Sequence, residues 1–119
     1  MISFSVLLSI YNRESPISLC QSLDSIFVQT VSPNEVVLVE DGPLSSELND
    51  IISEYSAKYP ILKIIPLPTN QGLGKALNEG LKHCSYDIVA RMDTDDIAKP
   101  DRFEKQLAIF EKYSDIDVV

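Results

Sequence analysis

Four short apolar runs alternate along the chain with four stretches whose apolar residues recur at helical spacing. The first run, Phe4, Val6, Leu7, Leu8 and Ile10, predicts a strand over Ser3–Ile10. It is nearly continuous, which is the pattern of a parallel strand buried on both faces. Tyr11-Asn12-Arg13-Glu14 breaks the run. Ser15 then reads as an N-cap and Pro16 as the first helical residue, and Leu19, Leu23, Ile26 and Phe27 carry a helix to about Gln29. Beyond the turn at Ser32-Pro33-Asn34, Val36–Val39 is a second strand, closed by Glu40-Asp41-Gly42-Pro43. Leu48, Ile51, Ile52, Tyr55 and Tyr59 mark a second helix that stops at or before Pro60. Ile61–Ile65 is a third strand with an irregular end at Pro66 and Pro68. A glycine-bearing loop, Asn70–Gly74, leads into a third helix with Leu73, Ala76, Leu77, Gly80, Leu81 and Cys84 on one face. Asp87–Arg91 is the fourth strand. A fourth helix is expected to begin at Pro100, with Asp101 in its first turn and Phe103, Leu107 and Phe110 buried. Asp117-Val118-Val119 has the pattern of a fifth strand just starting, so residues 1–119 are expected to be the front part of a longer domain.

This alternation predicts a Rossmann-like α/β fold, a mostly parallel sheet with right-handed crossovers and helices on both faces. The consequence for function is positional. Tyr11, Asp41, the Asn70–Gly74 loop and Asp93–Asp96 each follow a strand, so all four come to the carboxyl edge of the sheet, where open α/β sheets bind ligands.

Charge narrows the partners. The chain has Lys+Arg 10 against Asp+Glu 18, a net charge of -8. That argues against a nucleic-acid backbone or an anionic membrane surface as the main partner. It leaves room for a small phosphorylated ligand, because a bound cation reverses the local sign. No apolar run is long enough to span a membrane, and the N-terminus lacks the basic and small-residue pattern of a signal peptide. Cys20 and Cys84 fall on apolar helix faces and are expected as buried free thiols of a reducing compartment, which makes the chain cytoplasmic. His83 is expected on a helix surface.

The densest chemistry lies in Arg91-Met92-Asp93-Thr94-Asp95-Asp96. At ~4 Å, two like charges repel by about 1 kcal/mol in water and by about 4 kcal/mol at an effective dielectric near 20. A hard cation such as Mg²⁺, Mn²⁺ or Ca²⁺ relieves that repulsion through oxygen ligands. Asp93 and Asp95 are two apart and share a face in extended chain, so they form the expected inner pair, with Asp96 behind them or at the helix entry. The competing EF-hand pattern places Asp93, Asp95 and Glu104 well but puts Ile97 and Ala98 where an oxygen ligand and a glycine belong. Asp41 can accept from a base N–H or a ribose hydroxyl, or simply form a turn with Gly42 and Pro43. Tyr11 can stack on a base or cap the core. Gly72-Leu73-Gly74 matches neither a dinucleotide fingerprint nor a P-loop, and Lys75 after it is either a phosphate contact or a solvated lysine.

Taken together these positions resemble the family 2 nucleotide-diphospho-sugar glycosyltransferases of GT-A fold, over essentially the whole chain. Phe4–Asn12 is similar to the family's opening strand and its Tyr-Asn. Val37–Gly42 is similar to its acidic second-strand signature, Asn70–Gly80 to its Asn-x-Gly…Asn-x-Gly helix entry, and Asp93-Thr94-Asp95-Asp96 to its Asp-x-Asp motif, followed by Pro100-Asp101-Arg102. The resemblance implies that Ser9, Tyr11 and Asp41 hold a nucleoside, usually uridine, with Asp41 reading the base. It implies Lys75 as a phosphate or base contact, Asp93 against the ribose and a metal-bound water, and Asp95 as a ligand of Mn²⁺ or Mg²⁺ at the diphosphate; Asp93 and Asp95 are thus the metal residues. The implied reaction is inverting, metal-assisted transfer from a UDP-sugar to a saccharide or lipid-linked acceptor in polysaccharide biosynthesis, in the cytoplasm or at the inner face of the membrane. Ser9 stands where the family often has Pro or Thr, and Pro43 where it usually has Ser. The catalytic base belongs to an acceptor-binding half, so no catalytic residue is expected within residues 1–119. The alternative is a non-catalytic nucleotide-binding or interaction module that keeps the fold. A sugar nucleotidyltransferase would need a glycine-rich, basic loop after the first strand, which Tyr11–Glu14 is not.

Overall fold

The structure, a computed structural model, describes residues 2–112 and the side chains of residues 2–109. The elements follow in the predicted order: β1 (Ser5–Ile10), α1 (Pro16–Phe27), β2 (Glu35–Glu40), α2 (Ser46–Lys58), β3 (Leu62–Pro66), α3 (Leu73–His83), β4 (Val89–Arg91) and α4 (Arg102–Lys112). The strands form one parallel sheet in the order β3-β2-β1-β4. From β1 the chain steps outward to β2 and β3, then crosses back to lay β4 on the other side of β1. The loops after β1 and β4 therefore flank the point where strand order reverses, the usual crevice of a doubly wound sheet. The fifth strand expected at Asp117–Val119 and the side chain of Phe110 lie outside the described residues.

Strand parity assigns the two faces. Val6, Leu8, Ile10, Val36 and Leu38 join Leu19, Leu23 and Ile26 of α1, Leu48 and Ile52 of α2, and Phe103 and Leu107 of α4 in one cluster. Leu7, Val37 and Val39 point the other way, onto Ala76 of α3. Phe4 meets Phe103 edge-on with ring centroids 5.3 Å apart. Helices thus cover both faces, and the near-continuous apolar strands are explained.

Local signals set most boundaries. Ser15 caps α1, its Oγ accepting from Ser18 N–H, with Pro16 next. Tyr59 is extended at φ -123°, ψ 95°, as a residue before proline must be, and α2 ends at Lys58. Three expectations need correction here. The fourth helix begins at Arg102 rather than Pro100, because the Pro100 carbonyl accepts from Thr30 N–H and the Lys99 carbonyl from Arg102 N–H, making a turn of residues 99–102. Leu73 and Leu81 are exposed rather than on the packed face of α3. Ala76 and Gly80 make that contact instead: a Cβ on Gly80 would lie 2.4 Å from Leu7 Cδ1 and 2.7 Å from Val39 Cγ2. The two thiols are free and half-buried rather than buried, and burial pushes the Cys84 thiol up. His83 is exposed in the last turn of α3, as expected.

Candidate functional site

The carboxyl edge carries a cleft of about 560 Å³. Ser9, Tyr11, Arg13 and Glu14 line it from the end of β1, and Asp41 from the end of β2. Asn70, Gly72 and Leu73 come from the entry to α3, and Asp93, Thr94 and Asp95 from the loop after β4. Of the residues named from sequence, Ser9, Tyr11, Asp41, Asp93 and Asp95 meet here. Lys75 is exposed on α3 and is not among the lining residues.

Asp41 is only 5% exposed. Its Oδ1 accepts from Gln71 N–H at 2.7 Å and its Oδ2 from Gly72 N–H at 3.1 Å. A carboxylate at the end of β2 thus holds the loop that enters α3. Gly42 makes the same junction possible, with φ +91° and a would-be Cβ 2.7 Å from Asn70 N. Beside it, burial pushes the Glu40 carboxyl above its ordinary value.

The acidic loop turns back on itself, Asp96 N–H donating to the Asp93 carbonyl at 3.1 Å. That turn brings Asp96, expected behind the inner pair or at the helix entry, level with Asp93 and Asp95. Carboxylate oxygens of Asp93, Asp95 and Asp96 all lie within 4.8 Å of one another, and all three residues are exposed. Three convergent, solvent-facing oxygens suit a hard divalent cation with open positions for water and phosphate. Arg91 lies 3.8 Å from Asp93, an exposed pair of little energetic weight.

Sequence reasoning passed over Thr94, Glu14 and Arg13. Thr94 is 4% exposed, and its Oγ1 donates to Glu14 Oε2 at 2.7 Å. The alternation that pairs Asp93 with Asp95 also turns Thr94 inward, so the signal was present. Glu14 and Arg13 carried none beyond proximity to Tyr11. Four carboxylates line the cleft, and Arg13 is the one basic side chain among the described lining residues. An anionic ligand in such a cleft calls for a countercharge.

A parallel sheet with one acidic cleft at its switch point defines a ligand-binding α/β domain of the doubly wound kind. The family model of glycosyl transferase family 2 matches residues 5–119, and the chain belongs to that family. It is 49% identical to the amylovoran biosynthesis glycosyltransferase AmsE of Erwinia amylovora, over 95% of this chain and 42% of the relative. It is 43% identical to an Escherichia coli UDP-Gal:alpha-D-GlcNAc-diphosphoundecaprenol beta-1,3-galactosyltransferase, over 98% of this chain and 42% of that protein. Among solved structures, Staphylococcus aureus TarS 1-349 in complex with UDP-GlcNAc superposes with a TM-score of 0.81 at 29% identity, covering 95% of this chain and 32% of that one. The fold is therefore GT-A, and the chain spans about 42% of the length of these curated relatives.

Proposed function

We propose that the intact protein transfers a sugar from a UDP-sugar to a saccharide or lipid-linked acceptor in polysaccharide biosynthesis, and that residues 1–119 form its donor-binding part. The observation that carries this reading is the convergence of Tyr11, Asp41 and the acidic loop on one cleft. TarS bound to UDP-GlcNAc and the UDP-Gal-dependent relative support the choice of donor.

Tyr11, 46% exposed at the cleft, offers a ring face to a nucleobase. Asp41 already accepts two amides and keeps lone pairs for a base N–H. Ser9 adds a hydroxyl for the nucleoside. Arg13, which lines the cleft, would supply positive charge to the phosphates, and Lys75, two residues beyond Leu73 of the cleft wall, would be a phosphate or base contact. Asp93 and Asp95, joined by Asp96, hold Mn²⁺ or Mg²⁺, which when bound stabilises negative charge on the departing nucleoside diphosphate. Transfer with inversion requires a base on the acceptor side. The cleft carboxylates are engaged by hydrogen bonds or converge on the cation position, so that base belongs to another part of the protein. A lipid-linked acceptor would bring the protein to the inner, cytoplasmic face of the membrane; among the described residues no helix is long and apolar enough to cross it.

Calorimetric titration of the intact protein with UDP tests the reading. Binding is expected with Mn²⁺ and is expected to fall at least tenfold in EDTA or in Asp95→Ala. Equal UDP affinity in all three conditions would remove the metal assignment, and no UDP binding under any of them would remove the donor assignment.

A further inference from the structure

We propose that Thr94 and Glu14 form a latch that positions the metal-binding carboxylates before the cation arrives. The inference rests on the donor-site reading above and adds a positioning role for two residues that do not themselves ligate. Thr94 is 4% exposed while its neighbours Asp93, Asp95 and Asp96 are exposed. Its hydroxyl donates to Glu14 Oε2 at 2.7 Å, with the Ser9 carbonyl 3.4 Å away as a weaker alternative acceptor. Glu14 Oε1 in turn accepts from Ser15 N–H at 3.1 Å, at the N-cap of α1. From the other side, Ser22 Oγ lies 3.4 Å from the Asp93 carbonyl. The acidic loop is thereby tied to the start of α1.

The physical need is plain. Asp93, Asp95 and Asp96 repel one another, and a loop free to respond would spread them. The part-buried hydrogen bond from Thr94, which stands between Asp93 and Asp95 in the chain, to Glu14 resists that spreading without occupying a ligand oxygen. Groups behind metal ligands commonly change affinity by about 10–100-fold when removed. A carboxylate at position 14 serves both donors, Ser15 N–H and the Thr94 hydroxyl, with one oxygen each. A glutamine there has one acceptor oxygen and serves only one.

The test uses the intact protein with UDP present and Mn²⁺ titrated, following loss of the free-ion EPR signal. Thr94→Val, which keeps shape and removes the hydroxyl, is expected to weaken Mn²⁺ binding about tenfold. Thr94→Ser is expected to stay within about twofold of the unaltered protein, a rescue that a purely packing role would not give. Glu14→Gln, a second variant should Thr94→Val fold poorly, is expected to weaken Mn²⁺ about threefold or more. Mn²⁺ affinity unchanged in Thr94→Val or in Glu14→Gln, with Asp95→Ala still losing the ion, would overturn the latch and leave the donor site standing. Absence of Mn²⁺ binding in the unaltered protein would overturn both.

Discussion

Asp41 and Glu35 are both acidic and both buried, one just after β2 and the other at its start, so they act at opposite ends of the sheet. Asp41 closes the cleft wall through two backbone amides thirty residues away in sequence. Glu35, 3% exposed at the amino edge, accepts from the Ser5 hydroxyl at 2.7 Å, from Ser85 N–H at 2.7 Å and Ser85 Oγ at 2.9 Å, and pairs with Lys63. Burial opposes its ionisation, but Lys63 and the two serines outweigh it and hold the carboxyl at about 2, below the ordinary 4.5. A depressed carboxyl stabilises the fold at pH values above 4.5 and loses that contribution as pH falls toward 2. Glu35→Gln is therefore expected to be destabilised at pH 7 by about 1–3 kcal/mol, since it breaks a buried charged network. The gap from the unaltered protein should narrow as pH drops through this window, measured by urea midpoints at several pH values. A constant gap would mean that packing, not charge, is what Glu35 supplies. Nothing in the local pattern flagged Glu35, because a lone acid at a strand start is indistinguishable from a solvated one until Lys63 and Ser85 are folded beside it.

Elements show the same division. The helix-start signals at Ser15-Pro16 and the stop before Pro60 act through covalent geometry and adjacent donors, so they were legible. The start of α4 was not, because distant groups set it. Gln29, which the apolar spacing assigned to the end of α1, lies beyond that helix. Its Nε2 donates to the Lys99 carbonyl at 2.6 Å and to the Ser25 carbonyl at 2.9 Å, and its Oε1 accepts from Phe103 N–H at 3.1 Å. It serves as a remote cap for α4, 7% exposed. Gln29→Ala leaves the Phe103 amide unpaired in the interior and is expected to cost about 1–3 kcal/mol. Hydrogen exchange should locate the loss in the first turn of α4, while amides of β1 and β2 keep their protection relative to global unfolding. Uniform loss across the sheet would deny Gln29 this local role. On α3, likewise, the apolar stripe counted Leu73 and Leu81 as packed. Gly80 draws the helix onto Leu7 and Val39 so closely that the small residues form the contact and the two leucines are turned outward.

At the scale of the molecule, four loops far apart in sequence share one rim. Addition of UDP with Mn²⁺ is accordingly expected to slow hydrogen exchange together in residues 9–14, 41–42, 70–74 and 92–96. Residues 33–35 and 85–88, at the amino edge, should exchange as before. Protection confined to residues 92–96 would show a metal-binding loop without a nucleotide cleft. The order of elements, the two buried faces of the strands and the gathering of these loops at one edge were all determined by the sequence alone. Each follows from apolar periodicity, turn chemistry and the one-way direction that helical crossovers impose on parallel strands. Tertiary structure alone decided which partners the polar groups take: the amides clamped by Asp41, the hydroxyl that ties Thr94 to Glu14, the convergence of Asp96 with Asp93 and Asp95, the remote cap from Gln29. Hydrogen bonds are short-ranged and directional, so they are settled only when distant segments have been packed to within about 3 Å of each other.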